Sequence, residues 1–207
     1  MFGNNHGFSF KGNSLVHNGT TPSGMSSGQS IMFKYFNEVL VNSETKTTVL
    51  ANQRSSLMSK GMGAPTLNTV SSSAAATTFG TTSGKETVNA GGMAIDVSFA
   101  GQNQILVPTE TMNKGTSLMT AGGSKKVGSD HVLTHEFGHA IVNTIMNELG
   151  GEFNGVDFNS MTNDERSDWA IRFTNTLFSG NNLETGEGQH GRGSSTRPTH
   201  TLAPLKQ

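Results

Sequence analysis

The apolar residues between positions 132 and 149 follow a helical rhythm: Val132, Ala140, Ile141, Ile145 and Leu149 gather on one side of a helix. Ser129 or Asp130 stands where an N-cap belongs and Gly150-Gly151 where a helix stops, so the pattern predicts a helix from about 130 to 149. A second helix, from about 162 to 178, is predicted by TNDERSDWAIRFTNTLF. There Thr162 and Glu165 have capping-box spacing, and Ala170, Phe173 and Leu177 mark the buried face. Upstream the rhythm changes. MAIDVSF and QILVPTE flank AGQN, and two β-prone runs parted by Gly and Asn predict a hairpin whose second strand ends near Pro108. In SIMFKYFNEVLVN, Ile31, Phe36 and Leu40 are spaced in a way open to a short helix or a strand.

Between these elements small residues dominate. Residues 55 to 92, with SSSAAATTFGTTSG inside, and the stretch NKGTSLMTAGGSKKVG before the first helix are expected to be loops. Residues 1 to 30 are Gly, Asn and Ser punctuated by Phe2, Phe8 and Phe10, too polar for a core of their own, and are expected to lie on the rest as an arm. A Gly-rich loop, SGNNLETGEGQHGRGSSTRPTH, follows the second helix, and no internal repeat is visible. Strands followed by two helices predict an α+β fold: a small twisted sheet, an active-site helix, and one domain over residues 31 to 207.

The chain has 207 residues, no cysteine, a formal charge of -1 and only 14% charged residues. That length fits one domain, and the lack of cysteine leaves imidazole and carboxylate as metal ligands. The sparse, balanced charge offers no basic stripe, so nucleic acid is not an expected partner, and it offers no acidic run for cationic ones. No stretch approaches the roughly 20 apolar residues of a membrane span, and MFGNNHGFSF lacks the basic start and apolar middle of a secretory signal.

The first helix carries the chemistry, in LTHEFGHAIV. Residues four apart share a helix side, so His135 and His139 can aim both imidazoles at one ion at metal-nitrogen distances of roughly 2.0 to 2.1 Å. Glu136 then flanks that point, where it can take a proton from water and return it to a leaving amine. Gly138 permits close approach of a neighbouring element. This is the H-E-x-x-H arrangement of zinc peptidases. Two solvated histidines on a helix would be the bland alternative, disfavoured by the strongly periodic helix around the motif and the strand expected before it.

A third ligand is less plain. The long metzincin form needs glycine at position 142 and histidine at position 145, where this chain has Val142 and Ile145. NDERSD resembles the N-E-x-x-S-D signature of thermolysin-like peptidases: Asn163, Ser167 and Asp168 match, and Asp164 stands where that family has its glutamate ligand. The resemblance implies Asp164 as zinc ligand and Asp168 as the carboxylate that holds a ligand histidine; because aspartate is shorter than glutamate, the two exchange roles if the helix stands off. Around the second helix both acids were placed at the edge of the buried face, with Glu165 on the far side as a cap. Asp157 is a weaker third candidate.

Taken with the late STRPTH, the two helices resemble the zinc metallopeptidase domains of bacterial secreted effectors and polymorphic toxins of the NleD type. There an A-V/I-R-x-E-N core follows H-E-x-x-H and an R-x-x-Y element comes later. Ala170, Ile171, Arg172 and Asn175 match that core with Thr174 in place of its Glu, and Arg197 and His200 match the late element with His in place of Tyr. The resemblance covers about residues 130 to 200 and implies a zincin-like fold, bound Zn2+ and endopeptidase hydrolysis of a protein or peptide. It also implies export by a specialised system without a signal peptide, action in a target cell, and a cognate immunity protein in the producer; without export the chain would stay cytoplasmic. Arg197 and His200, ahead of His190 and Arg192, are the nominees to face the developing oxyanion. His6, His17 and His131 are expected to be structural. A zinc amidase acting on cell-wall peptides would use the same residues, and a non-catalytic zincin-fold binding module would have no need of Glu136.

Overall fold

The computed structural model describes residues 1–11, 14–52, 77–79, 84–90, 93–99, 102–120, 123–178 and 205. The chain opens with an antiparallel hairpin, β1 (Phe8–Lys11) and β2 (Ser14–His17), then forms α1 (Ser27–Tyr35), which continues as a π-helical stretch, Phe36–Val41. Strands β3 (Lys46–Asn52), β4 (Thr77–Phe79), β5 (Gly84–Ala90), β6 (Met93–Phe99) and β7 (Gln102–Pro108) follow. A short helix α2 (Thr109–Lys114) and the strands β8 (Thr116–Thr120) and β9 (Gly123–Val127) lead into the long helix α3 (Ser129–Glu148). After a small hairpin, β10 (Glu152–Phe153) and β11 (Val156–Asp157), comes α4 (Asn163–Leu177). The fold is α+β, and among the described residues no helix is long and apolar enough to cross a membrane.

The expected hairpin of β6 with β7 does not form, although both strands do. β7 is the middle strand of a three-stranded sheet, parallel to β3 and antiparallel to β4, so both its edges are taken. Its residues Asn103, Ile105 and Val107 alternate onto one face and are all buried, which is what a central strand under a helix requires. β6 pairs instead with β5, antiparallel, with Ala90 facing Met93 at one end of the ladder. Two stretches expected as loops therefore contain strands: β4 and β5 within residues 55 to 92, and the hairpin of β8 and β9 just before α3.

The open alternative at residues 30–42 is settled as helix, which runs to Val41. Its start lies earlier than the apolar pattern indicated, because Ser26 and Gln29 form a capping box: the Gln29 amide donates to Ser26 Oγ and the Ser26 amide to Gln29 Oε1. Residues 27 to 30 of the expected arm thus belong to α1. Phe2 is buried, edge-on to Phe33 and Phe36 at 5.8 and 5.2 Å, so the start of the arm does pack on the core.

Three attachments hold α3 in place. The Asn103 side chain on β7 donates to the Thr144 hydroxyl at 2.8 Å and to the Ala140 carbonyl at 3.4 Å. At the far end the Glu148 carboxylate accepts from the amides of Glu44 and Thr45 ahead of β3. Against α4 the two helices almost touch: a Cβ built at Gly138 would lie 2.7 Å from Ala170 Cα. On one flank of this pair sits α1 with its π-helical extension, Phe36 at 4.7 Å from Phe137 of α3 and Tyr35 at 4.8 Å from Phe173 of α4.

Candidate metal centre

α3 begins at Gly128, whose carbonyl accepts from Val132 N at 3.3 Å; Ser129 and Asp130, expected as caps, lie inside the first turn, and no side chain caps the helix. A glycine N-cap is nearly as good as a hydroxyl one, which is why the cap residue was misplaced by one or two positions. The stop is where expected, with Gly150 and Gly151 both at positive φ.

About two and three turns into this helix His135 and His139 bring their Nε2 atoms to 3.2 Å of each other, the ring planes inclined at 73°. Two imidazole nitrogens about 2.0 to 2.1 Å from a shared tetrahedral ion stand roughly 3.3 to 3.4 Å apart. The observed separation is within a small side-chain adjustment of that value. His135 is 7% and Glu136 4% exposed, whereas His139 is half-buried, so the pair is reached by solvent from the His139 side. His135 and Glu136 are buried ionisable groups that the backbone hydrogen bonding of the helix does not use.

The acids of α4 behave differently. Glu165 completes the expected capping box: its Oε2 accepts from Thr162 N at 2.7 Å while its own amide donates to Thr162 Oγ1 at 3.2 Å. The backbone hydrogen bond from Thr162, and then its hydroxyl, hold the Glu165 carboxyl below the usual range. Asp164 is exposed in the first turn and Asp168 half-buried one turn later. Among the described residues no three His, Asp or Glu side chains are grouped to hold a metal.

The remaining residues separate cleanly. Asp157 is exposed and its carboxylate accepts from Asn159 N at 2.9 Å, a local turn contact. His6 Nδ1 accepts from Phe8 N, and His17 accepts from Gly19 N while its Nε2 meets the Thr20 carbonyl. His131 is buried with its ring 4.3 Å from that of Phe178. His190, Arg192, Arg197 and His200 lie outside the described residues. Asn103, a buried tie to the helix that bears the histidines, stands between Gln102 and Gln104, and nothing in that polar triplet singles it out in sequence. No family model, curated protein or solved structure matches this chain.

Proposed function

We propose that this protein is a zinc-dependent endopeptidase that cuts a protein or peptide, built on a zincin-like fold and delivered as a bacterial effector or toxin into a target cell. The observation that carries the reading is the 3.2 Å approach of the His135 and His139 Nε2 atoms beside a buried Glu136. Two imidazole nitrogens at this separation, in a chain without thiols, suit a borderline cation such as Zn2+. Zinc bound there would supply Lewis-acid polarisation of the scissile carbonyl and acidify the attacking water.

The protein's own contribution follows from position. His135 and His139 hold the ion against one face of α3. Glu136, next in the chain, takes a proton from the attacking water and passes it to the leaving nitrogen. Arg197 and His200 remain the proposed stabilisers of the oxyanion. Asp164 or Asp168 of α4 is the proposed third ligand, and loss of bound zinc in one of the single alanine variants tells which.

The decisive experiment exposes a lysate of foreign cells to the wild-type chain and to Glu136→Ala, then labels new peptide N-termini. The proposal expects a small set of termini with the wild type, none with the variant, and zinc bound to both. Identical termini from the two proteins would refute the peptidase reading.

A further inference from the structure

We infer that Asn154 is a site of spontaneous covalent modification: its side-chain amide becomes a carboxylate through attack by the Gly155 backbone nitrogen, with the Lys34 ammonium polarising the amide carbonyl. The inference is independent of the zinc reading. It concerns the tip of the small hairpin that links α3 to α4.

Asparagine is among the chemically labile residues, and its lability depends on whether the next backbone nitrogen can close onto Cγ. Glycine offers that nitrogen with no side chain in the way. At the hairpin tip Phe153 pairs with Val156, so Asn154 and Gly155 are the two turn residues. Both have positive φ, +52° and +76°, as a two-residue Asn-Gly turn requires. Asn154 is exposed, and beyond its chain neighbours nothing lies within 4 Å of where a Cβ on Gly155 would stand. Water and the departing ammonia have open access.

A cation is already on the reacting carbonyl. Lys34, in the last turn of α1, donates from Nζ to Asn154 Oδ1 at 2.9 Å. A positive charge there draws electrons from Cγ and stabilises the oxyanion that forms as nitrogen adds to the carbonyl. The same side chain is hydrogen-bonded to the buried Tyr35 hydroxyl, which keeps the amide beside the lysine. In the step itself the Gly155 nitrogen bonds to Cγ and gives up its proton, the Cγ–Nδ2 bond breaks, and ammonia leaves with that proton. Water then opens the five-membered imide at either carbonyl, leaving aspartate or isoaspartate, and no further reactant is needed. The new carboxylate forms an ion pair with Lys34 between the hairpin and α1. The isoaspartate product also lengthens the backbone beside Phe153, whose ring packs 4.9 Å from that of Tyr35.

The chain's other Asn-Gly pair, Asn18-Gly19, is a built-in comparison. Asn18 Oδ1 accepts from the Thr20 amide at 2.9 Å instead of from a cation, and the Gly19 amide donates to His17 Nδ1 at 3.3 Å, which occupies the nucleophile.

The test incubates the full chain under native conditions at mildly alkaline pH and follows both sites by peptide-mapping mass spectrometry, with enzymatic detection of isoaspartate. Asn154 should convert about tenfold or more faster than Asn18, a modest share of what a buried oxyanion donor supplies. Lys34→Met should slow Asn154 about tenfold and leave Asn18 unchanged, whereas Lys34→Arg, which keeps a cation, should retain most of the rate. Lys34 is exposed, so both variants should keep the wild-type circular dichroism spectrum. In urea, where the lysine contact is lost, the two asparagines should convert at similar rates. Equal native rates at the two sites, or a Lys34→Met chain that converts Asn154 as fast as the wild type, would overturn the inference. A preference for Asn154 that persisted unchanged in urea would assign it to local sequence and overturn it as well.

Discussion

α3 and α4 are consecutive long helices that cross at Gly138 and Ala170, yet they place their ionisable residues differently. α4 concentrates them at its start, where Thr162 and Glu165 satisfy each other's amides and the acids beside them are exposed or half-buried. α3 starts on a bare glycine and buries His135 and Glu136 in its middle. Exposed acids in a first turn are accounted for by free amides and the helix dipole. Buried ionisable groups in a helix interior are not explained by the helix ends, and perturbed groups of this kind concentrate at functional sites. On the proposed function, position within the helix separates residues that make the fold from residues that use it.

The largest effect should come from splitting the α3 pair of roles. His135→Ala should remove the bound metal and all hydrolysis, whereas Glu136→Gln should keep the metal and lower turnover by about 10²–10⁴-fold, the usual worth of a general base. Metal content by atomic emission, alongside peptide hydrolysis, tells the two apart. If Glu165→Gln on α4 cost as much activity as Glu136→Gln, the division between the helices would be false.

Packing at the crossing ranks next. Gly138→Ala puts a methyl 2.7 Å from Ala170 Cα and 3.2 Å from both Ala170 Cβ and Phe173 Cδ2, backbone and core atoms with little room to yield. Overpacking of this kind costs about 1–3 kcal/mol. Gly150→Ala is the matched control: it meets nothing within 4 Å but sits at φ +68°, so it carries backbone strain of about 1 kcal/mol. Urea denaturation should show the Gly138 variant as the less stable of the two. The opposite order would mean that α3 and α4 can separate freely at this point.

These two helices were also the most legible part of the chain. Thr162 with Glu165, Gly150-Gly151 and the apolar spacing of Ile141 and Ile145 are local signals, and the elements they predict are present with nearly the predicted ends. The strands were visible as β-prone runs but their partners were not, since pairing β7 with β3 joins residues far apart in sequence and leaves no local trace. β8 and β9 were hidden because Thr116, Ser117 and Lys125 give neither an apolar run nor clean alternation. At the site the histidine pair follows from one turn of helix, whereas the close packing of α4 at Gly138 depends on residues far along the chain. The Ser26-Gln29 capping box was in the sequence and was overlooked in a stretch taken for an arm.

Removing the α4 cap is expected to matter less and to matter only for folding. Thr162→Ala loses the acceptor for the Glu165 amide and should cost about 1 kcal/mol, read as a lower midpoint in urea. Hydrolysis per folded molecule should be unchanged. A loss of specific activity would place the first turn of α4 in the catalytic machinery and blur the contrast with α3.

The smallest effect is in acid. Thr162 lowers the folded pKa of Glu165 from its ordinary 4.5, so the ionised carboxylate is bound more favourably in the folded chain than in the unfolded one. A depressed pKa of this sign contributes stability that is fully present above the unfolded value and is lost as pH falls through the folded value. Glu165→Gln keeps a side-chain oxygen for the Thr162 amide but removes the charge, and with it the pH dependence. The wild type should therefore hold a small stability advantage over the variant at neutral pH that narrows as pH drops below 4.5, with the two urea midpoints converging. Because Glu165 is fully exposed, salt should screen much of the difference, and repeating the series at high ionic strength should shrink it. A gap between wild type and Glu165→Gln that stayed constant from neutral pH into acid would assign the cap's contribution to hydrogen-bond geometry alone and leave no role for the charge.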